Sequence, residues 1–303
     1  MKGADYIVDS SSSMAKKLGV SSLMIGLTVV AFGTSLPELV VNVLAALKGS
    51  AEVSFGNVIG SNIANILLIL GVTSLIAPIK VKSSTVWKEI PFALLASFVF
   101  FALTTRIFFG ESKFLTWNDG VILLALFIMF LYYVYGMAKK NRAEIGLVEK
   151  IEHSNWKIAG MFIAGIIGIY FGGNWVVEGA VFIAGQLGLS EYLISATIIA
   201  LGTSLPELVV SVKAAFKNNI DLAVGNIIGS NIFNILWVFG VISFITPISI
   251  PGFIAFDIGI MFLATALLFV FMFIWGKNML SKKEGIIFLV LYVLYLLFLV
   301  ARG

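Results

Sequence analysis

Thr34, Ser35 and Glu38 recur in the same order as Thr203, Ser204 and Glu207, inside AFGTSLPELVV at 31–41 and ALGTSLPELVV at 200–210. On a helix, residues four apart share a face, so each stretch offers a threonine hydroxyl and a carboxylate together, with a serine beside them. Pro37 and Pro206 extend the set. Proline has no N–H, and its ring presses on the carbonyl four residues back, here Gly33 and Gly202. Carbonyl oxygens around 31–34 and 200–203 are therefore expected to leave the helix ladder. An all-oxygen shell suits a hard cation: calcium takes about 6–8 oxygens in flexible geometry, whereas magnesium holds a tighter octahedron and keeps waters. Glu38, Glu207, Thr34 and Thr203 are the expected metal ligands. Two carboxylates balance one divalent ion or two monovalent ones, and charge balance suggests that the two kinds occupy the site in turn.

A second pair of segments follows, FGNVIGSNIANILLILG at 55–71 and VGNIIGSNIFNILWVFG at 224–240. Gly56 and Gly60, like Gly225 and Gly229, are four apart, a small-residue spacing that lets helices approach closely. Ser61 and Asn65 share a face one turn apart, as do Ser230 and Asn234. They are candidate neutral oxygen ligands, although the same spacing also serves hydrogen bonding between helices. Asn57, Asn62, Asn226 and Asn231 are expected to serve packing and backbone hydrogen bonds.

The elements that carry these residues are greasy. Sixty per cent of the 303 residues are hydrophobic and mean hydropathy is +1.06, more apolar surface than a soluble domain of this length can hide. Apolar runs near the length of about 20 residues that crosses a bilayer fall at 20–47, 55–78, 88–108, 119–138, 157–184, 190–213, 222–246, 252–276 and 284–301. A carboxylate deep in such a run costs about 2.5–3.5 kcal/mol on insertion scales. A buried salt bridge would offset that cost, but no Lys or Arg lies at the depth of Glu38 or Glu207, and Lys213 is expected to snorkel outward.

The chain is also duplicated. Shifted by 169 positions, residues 19–81 align with 188–250 without a gap, and 34 of the 63 pairs are identical. If the stretch before Val20 ends a first helix, the shift spans five helices, an odd number, so the second copy enters from the opposite side. The expected fold is an all-α integral membrane protein of ten transmembrane helices in two inverted five-helix repeats, the halves being 1–138 and 157–303 with a cytoplasmic linker at 139–156. Such repeats are typical of secondary transporters with midplane sites, though channels and membrane enzymes are also duplicated. Met1 aligns with Tyr170, so the first helix starts near mid-membrane, and a preceding apolar stretch matching WKIAGMFIAGIIGIY is expected to be missing. Fifteen of the twenty Lys and Arg residues fall in alternate loops (16–17, 80–88, 139–157, 213–217 and 277–283). By the positive-inside rule these loops are cytoplasmic and both termini lie outside, in the plasma (inner) membrane.

The paired GTSLPE and GNxxGSNIxN segments resemble the alpha repeats of the calcium/cation antiporter superfamily, in particular its prokaryotic sodium/calcium exchanger branch. The resemblance implies a cation site of Thr34, Ser35, Glu38, Ser61 and Asn65 with Thr203, Ser204, Glu207, Ser230 and Asn234, plus the carbonyls of Ala31 and Ala200. It also implies a first and a sixth helix that slide over the core as a gating pair. Some members carry aspartate at the positions of Asn65 or Asn234; both are neutral here, leaving two carboxylates. The expected function is exchange of calcium for sodium by alternating access, with calcium/proton exchange as the alternative and a passive cation channel behind it.

No cofactor is called for beyond the transported Ca2+ and Na+ (or H+), and the expected partners are inorganic cations and the lipid bilayer. There is no cysteine, hence no disulfide or thiolate site. No P-loop, zinc motif or catalytic triad spacing occurs, so neither nucleotide binding nor an enzyme is expected, and the loop pattern of basic residues needs no nucleic acid. His153 is expected in a solvated loop. Asp5, Asp9 and Glu178 either line an ion route or sit solvated near headgroups. Glu52, Asp119, Asp221 and Asp257 are expected at interfaces, and Trp87, Trp117, Trp156 and Trp275 in an aromatic belt.

Overall fold

The computed structural model describes residues 2–106, 113–144, 154–186, 190–274 and 278–302; side chains are described for these residues except 140–144, 172–186 and 191. His153 and Trp275 lie outside the described residues, as do the side chain of Glu178 and residues 145–153 of the expected linker. Among the described residues twelve helices follow one another: α1 (Lys2–Leu18), α2 (Ser22–Thr34), α3 (Leu36–Leu47), α4 (Ala51–Ile76), α5 (Thr85–Thr105), α6 (Trp117–Glu144), α7 (Asn155–Gln186), α8 (Tyr192–Thr203), α9 (Leu205–Phe216), α10 (Ile220–Ile245), α11 (Ile254–Ile274) and α12 (Lys282–Arg302).

α2 and α3 together fill the expected span at 20–47, and α8 with α9 the one at 190–213. Each is interrupted at a serine, Ser35 (φ −86°, ψ 5°) and Ser204 (φ −83°, ψ 1°), in the sparsely populated bridge region. The proline two residues later sits in the first turn of the next helix, where a missing N–H costs nothing. α8 and α9 meet at 42°. Wide π turns precede or flank the motifs in both copies, at Gly26–Val30 and Ser195–Ile199 and at Ala64–Ile69 and Phe233–Val238. Single π turns of this sort collect at functional sites.

Among the described residues six helices are long and apolar enough to cross a bilayer (α4, α5, α6, α10, α11 and α12), and eight spans result if the bent pairs α1 with α2 and α8 with α9 each count as one. α3 and the stretch Asn155–Phe171 of α7 are shorter apolar helices beside them.

The two copies clasp each other reciprocally. β1 (Ile79–Lys80) pairs antiparallel with β4 (Met279–Leu280), and β2 (Phe114–Leu115) with β3 (Ile248–Ser249), so each half lends one short strand to the other at either end of the bundle. These ladders are the strands that an all-helical expectation omitted. α4 packs on α8, and α10 on α2, through glycine. A Cβ on Gly60 would meet the Ala196 carbonyl at 2.4 Å and Ala200 Cβ at 2.7 Å; one on Gly229 would meet Ala31 Cβ at 2.7 Å and the Leu27 carbonyl at 2.8 Å. At the centre Phe55, Phe100 and Phe239 stack with centroids 4.6 to 6.1 Å apart. On the outside, α6, α11 and α12 leave Ile128, Leu263 and Val300 more than half exposed, as lipid-facing helices must. α1 crosses α7 at Gly3 and Gly165, where a Cβ on Gly165 would come within 2.7 Å of the Gly3 carbonyl.

Candidate cation site

The two serine corners face each other in the middle of the bundle. Ser35 Oγ donates to Glu207 Oε1 at 3.2 Å, and Ser204 Oγ reaches Glu38 Oε1 at 3.5 Å. Ser230 Oγ on α10 donates to the same Glu207 oxygen at 3.1 Å. Its counterpart Ser61 turns instead towards the Ala200 carbonyl at 3.3 Å and Thr203 Oγ1 at 3.4 Å. Thr34 Oγ1 lies 3.4 Å from Ser230 Oγ. Each carboxylate therefore meets a serine hydroxyl of the opposite copy, and Glu207 one of its own copy as well.

Glu38 and Glu207 are both fully buried. Among the described residues neither is ion-paired, although five Lys or Arg contacts to aspartates occur elsewhere. Glu38 Oε2, Glu207 Oε2, Asn65 Oδ1 and both polar atoms of Asn234 are buried without a hydrogen-bond partner. Leaving such groups unsatisfied is costly. Hydroxyl, amide and carboxylate oxygens converging around unpaired carboxylates are the donor set that calcium or sodium accepts. Two carboxylates are too few for a cage of acidic residues, and among the described residues no cluster of three His, Cys, Asp or Glu occurs.

The carbonyl expectation needs correcting. Ala31 O still accepts Ser35 N at 2.9 Å, and Ala200 O accepts Ser204 N at 3.0 Å. The missing proline N–H addresses Gly33 and Gly202, two positions further along, so the alanine carbonyls stay in the ladder. A carbonyl has two lone pairs, and the second is contested by hydroxyls: Thr34 Oγ1 lies 3.4 Å from the Ala31 oxygen, and Thr203 Oγ1 and Ser61 Oγ each lie 3.3 Å from the Ala200 oxygen, so an ion ligated there takes the place of a hydroxyl. Asn65 also differs from a simple ligand: its Nδ2 donates to Asn231 Oδ1 at 2.9 Å, and Asn231 Nδ2 reaches the Asn62 carbonyl at 3.4 Å.

Asn57 and Asn226, assigned from sequence to packing, are drawn into the site. Asn57 Oδ1 accepts from Thr203 Oγ1 at 2.9 Å, and Asn226 Oδ1 from Thr34 Oγ1 at 3.0 Å. The signal was present as a stripe: Asn57, Ser61 and Asn65, like Asn226, Ser230 and Asn234, are spaced four apart on one face.

The peripheral acids are also placed differently. Asp5 pairs with Lys213 at 2.8 Å and Lys217 at 3.2 Å, and Asp9 with Lys217 at 2.7 Å, so α1 is tied to the end of α9 and Lys213 does not simply snorkel. Burial alone would lower the Lys217 ammonium, but Asp9 and Asp5 beside it hold it above its ordinary range. Asp119 and Asp257 stand in the first turns of α6 and α11, at the ends of their spans, and are buried there against Arg106 and Arg302 at 3.0 and 2.8 Å. Glu52 is exposed and Asp221 half-buried, and Trp87, Trp117 and Trp156 are exposed.

Comparison with known proteins bears on the family and the fold. The family described as sodium/calcium exchanger protein matches residues 1–136 and 157–301. The chain is 38% identical over 300 residues to the putative antiporter CaxA of Alkalimonas amylolytica, covering 96% of this chain and 92% of that one. It is 31% identical over 335 residues to the sodium/calcium exchanger MaX1 of Methanosarcina acetivorans, covering 99% and 95%, and 36% identical over 252 residues to the inner membrane protein YrbG of Escherichia coli, covering 80% and 76%. A structure of the sodium-calcium exchanger NCX_Mj soaked with Na+ and Sr2+ superposes with a TM-score of 0.80 at 34% identity, covering 97% of this chain and 92% of that one.

Proposed function

This chain belongs to the sodium/calcium exchanger protein family, a multi-pass membrane cation antiporter and not an enzyme, and from that premise we propose that it exchanges calcium for sodium at the Glu38–Glu207 site. The observation that carries the proposal is the pair of fully buried glutamates with no basic partner among the described residues, each with one oxygen hydrogen-bonded by a serine of the opposite repeat and the other without a partner. One calcium, or sodium ions in its place, neutralises that pair. Because the same carboxylates serve both loads, binding of one excludes the other, and this exclusion couples the fluxes. Ser35, Ser204, Ser61, Ser230, Thr34, Thr203, Asn65 and Asn234, with the carbonyls of Ala31 and Ala200, complete the shell.

Orientation in an inner membrane with both ends outside is supported by the strand pairing, which brings the lysine-bearing segments at 80 and 282–283 to one end of the bundle and 114 and 248 to the other. In this reading the halves 1–138 and 157–303 share one site that stays assembled, and 139–156 joins them on the cytoplasmic side. α1 and α7 form the moving layer.

Calcium uptake into sodium-loaded proteoliposomes, with sodium absent outside, tests the proposal against a sodium-free control carrying a pH gradient. Uptake that requires internal sodium is the expected result. Uptake driven by the pH gradient alone would transfer the assignment to calcium/proton exchange, with the same two glutamates as proton carriers, and dissipation of a calcium gradient without any counter-ion would indicate a channel.

A further inference from the structure

We propose that Asn57 and Asn226 are crossed positioning residues that fix the proton of the threonine hydroxyl in the opposite repeat, so that Thr203 and Thr34 present lone pairs to the bound cation. The inference rests on the exchanger reading for its ligand, calcium.

A hydroxyl has one proton and two lone pairs, and its worth as a cation ligand depends on where the proton points. Thr203 lies beside the Glu38 carboxylate and Thr34 beside that of Glu207. With no ion present, each proton has a carboxylate to point at. Once a cation occupies the carboxylates, a proton aimed inward meets positive charge and must turn away to another acceptor. The amide oxygen of Asn57 is there for Thr203 at 2.9 Å, shorter than the alternative at the Ala200 carbonyl, 3.3 Å. For Thr34 the acceptors are Asn226 Oδ1 at 3.0 Å and the Val30 carbonyl, also 3.0 Å. All of these lie on the threonine's own helix or on the helix opposite, not on the carboxylate.

The Asn226 amide is itself held, whereas among the described residues Asn57 Nδ2 is buried without a hydrogen-bond partner and Asn57 is placed through its oxygen alone. Asn226 Nδ2 donates to Ser211 Oγ at 3.1 Å and to the Glu207 carbonyl at 3.5 Å, which turns Oδ1 towards Thr34. Asn57 and Asn226 are both fully buried. Each stands on α4 or α10 one turn before the serine of its own copy, yet its oxygen serves the threonine of the other copy. Partners of this kind, which orient a ligand without touching the metal, typically change metal affinity about 10–100-fold when lost.

Asn57 has fewer competing acceptors on its threonine and is the place to test. Calcium binding to purified, detergent-solubilised protein is measured by titration calorimetry for the wild type, Asn57→Leu, Asn57→Asp, Thr203→Val and the double variant. Asn57→Leu is expected to weaken calcium about tenfold or more, and Asn57→Asp, which keeps an acceptor oxygen in place, to retain affinity. In the Thr203→Val background, where no hydroxyl remains to orient, Asn57→Leu should add no further loss. Unchanged affinity in Asn57→Leu, or losses that multiply in the double variant, would overturn the proposal. Should Asn57→Leu not fold, Asn57→Ser, whose hydroxyl stops short of Thr203, carries the same expectation. Failure of the wild type to bind calcium would count against the exchanger reading itself and remove the ligand on which this proposal depends.

Discussion

Glu38 and Glu207 share a motif but not their surroundings. Glu207 Oε1 receives Ser35 and Ser230 at 3.2 and 3.1 Å, whereas Glu38 Oε1 receives Ser204 at 3.5 Å and Ser61 faces the Ala200 carbonyl. Hydrogen bonds to charged groups contribute about 1.5–3 kcal/mol. Ser230→Ala should therefore weaken calcium binding roughly tenfold or more on that scale, and Ser61→Ala less; calorimetry that returns the opposite order would show that the asymmetry does not survive ion binding. Protons compete for the same carboxylate oxygens. Calcium-dependent flux is accordingly expected to fall as pH is lowered and to be restored by more calcium. A loss at acid pH that no calcium concentration reverses would place the titrating group outside the site. The glutamates, threonines and serines were legible because each occurs twice in one order. The role of Asn57 and Asn226 was not, since a buried asparagine on a glycine-rich helix face has the same spacing whether it packs or points into a site, and only the opposite helix decides.

At the level of the helix, the four-residue glycine spacing states its own consequence. α4 and α10 lie so close to α8 and α2 that a methyl group on Gly60 or Gly229 has nowhere to go except into backbone. Overpacking of this kind costs about 1–3 kcal/mol, so Gly60→Ala and Gly229→Ala should each lower the thermal unfolding temperature in detergent, while Gly136→Ala, where a Cβ meets nothing within 4 Å, should not. Equal melting of all three would mean that the close crossings carry no strain. Spans, breaks at the two prolines and the pairing of copies could be read from hydropathy and repetition. The π turns and the two-residue strand ladders could not, because neither has a residue-type signature at that length. Nor could the partners of Asp5, Asp9, Asp119 and Asp257: each ion pair joins helices or loops whose juxtaposition is set by the packing of the whole bundle.

For the whole molecule, exchange requires that one layer move while the site stays assembled. α7 rests directly on the corner of α2: a Cβ at Gly33 would meet Ile166 Cδ1 at 2.4 Å and Phe162 Cζ at 3.2 Å. α1 packs on α7 at the Gly3–Gly165 crossing and is tethered to α9 by Asp5, Asp9, Lys213 and Lys217. Since the chain has no cysteine, Gly33→Cys combined with Ile166→Cys gives a single defined cross-link between corner and moving layer. Oxidation should stop sodium-driven calcium uptake and reduction should restore it, with calcium binding retained throughout; uptake unaffected by the cross-link would exclude α7 as the moving element. In the proposed mechanism each repeat contributes one indispensable carboxylate to a single site. The most direct test is sodium-driven calcium uptake by proteoliposomes carrying wild type, Glu38→Gln or Glu207→Gln at matched protein density. Loss of uptake to the protein-free background in both variants is the predicted result, and wild-type uptake in either one would contradict it.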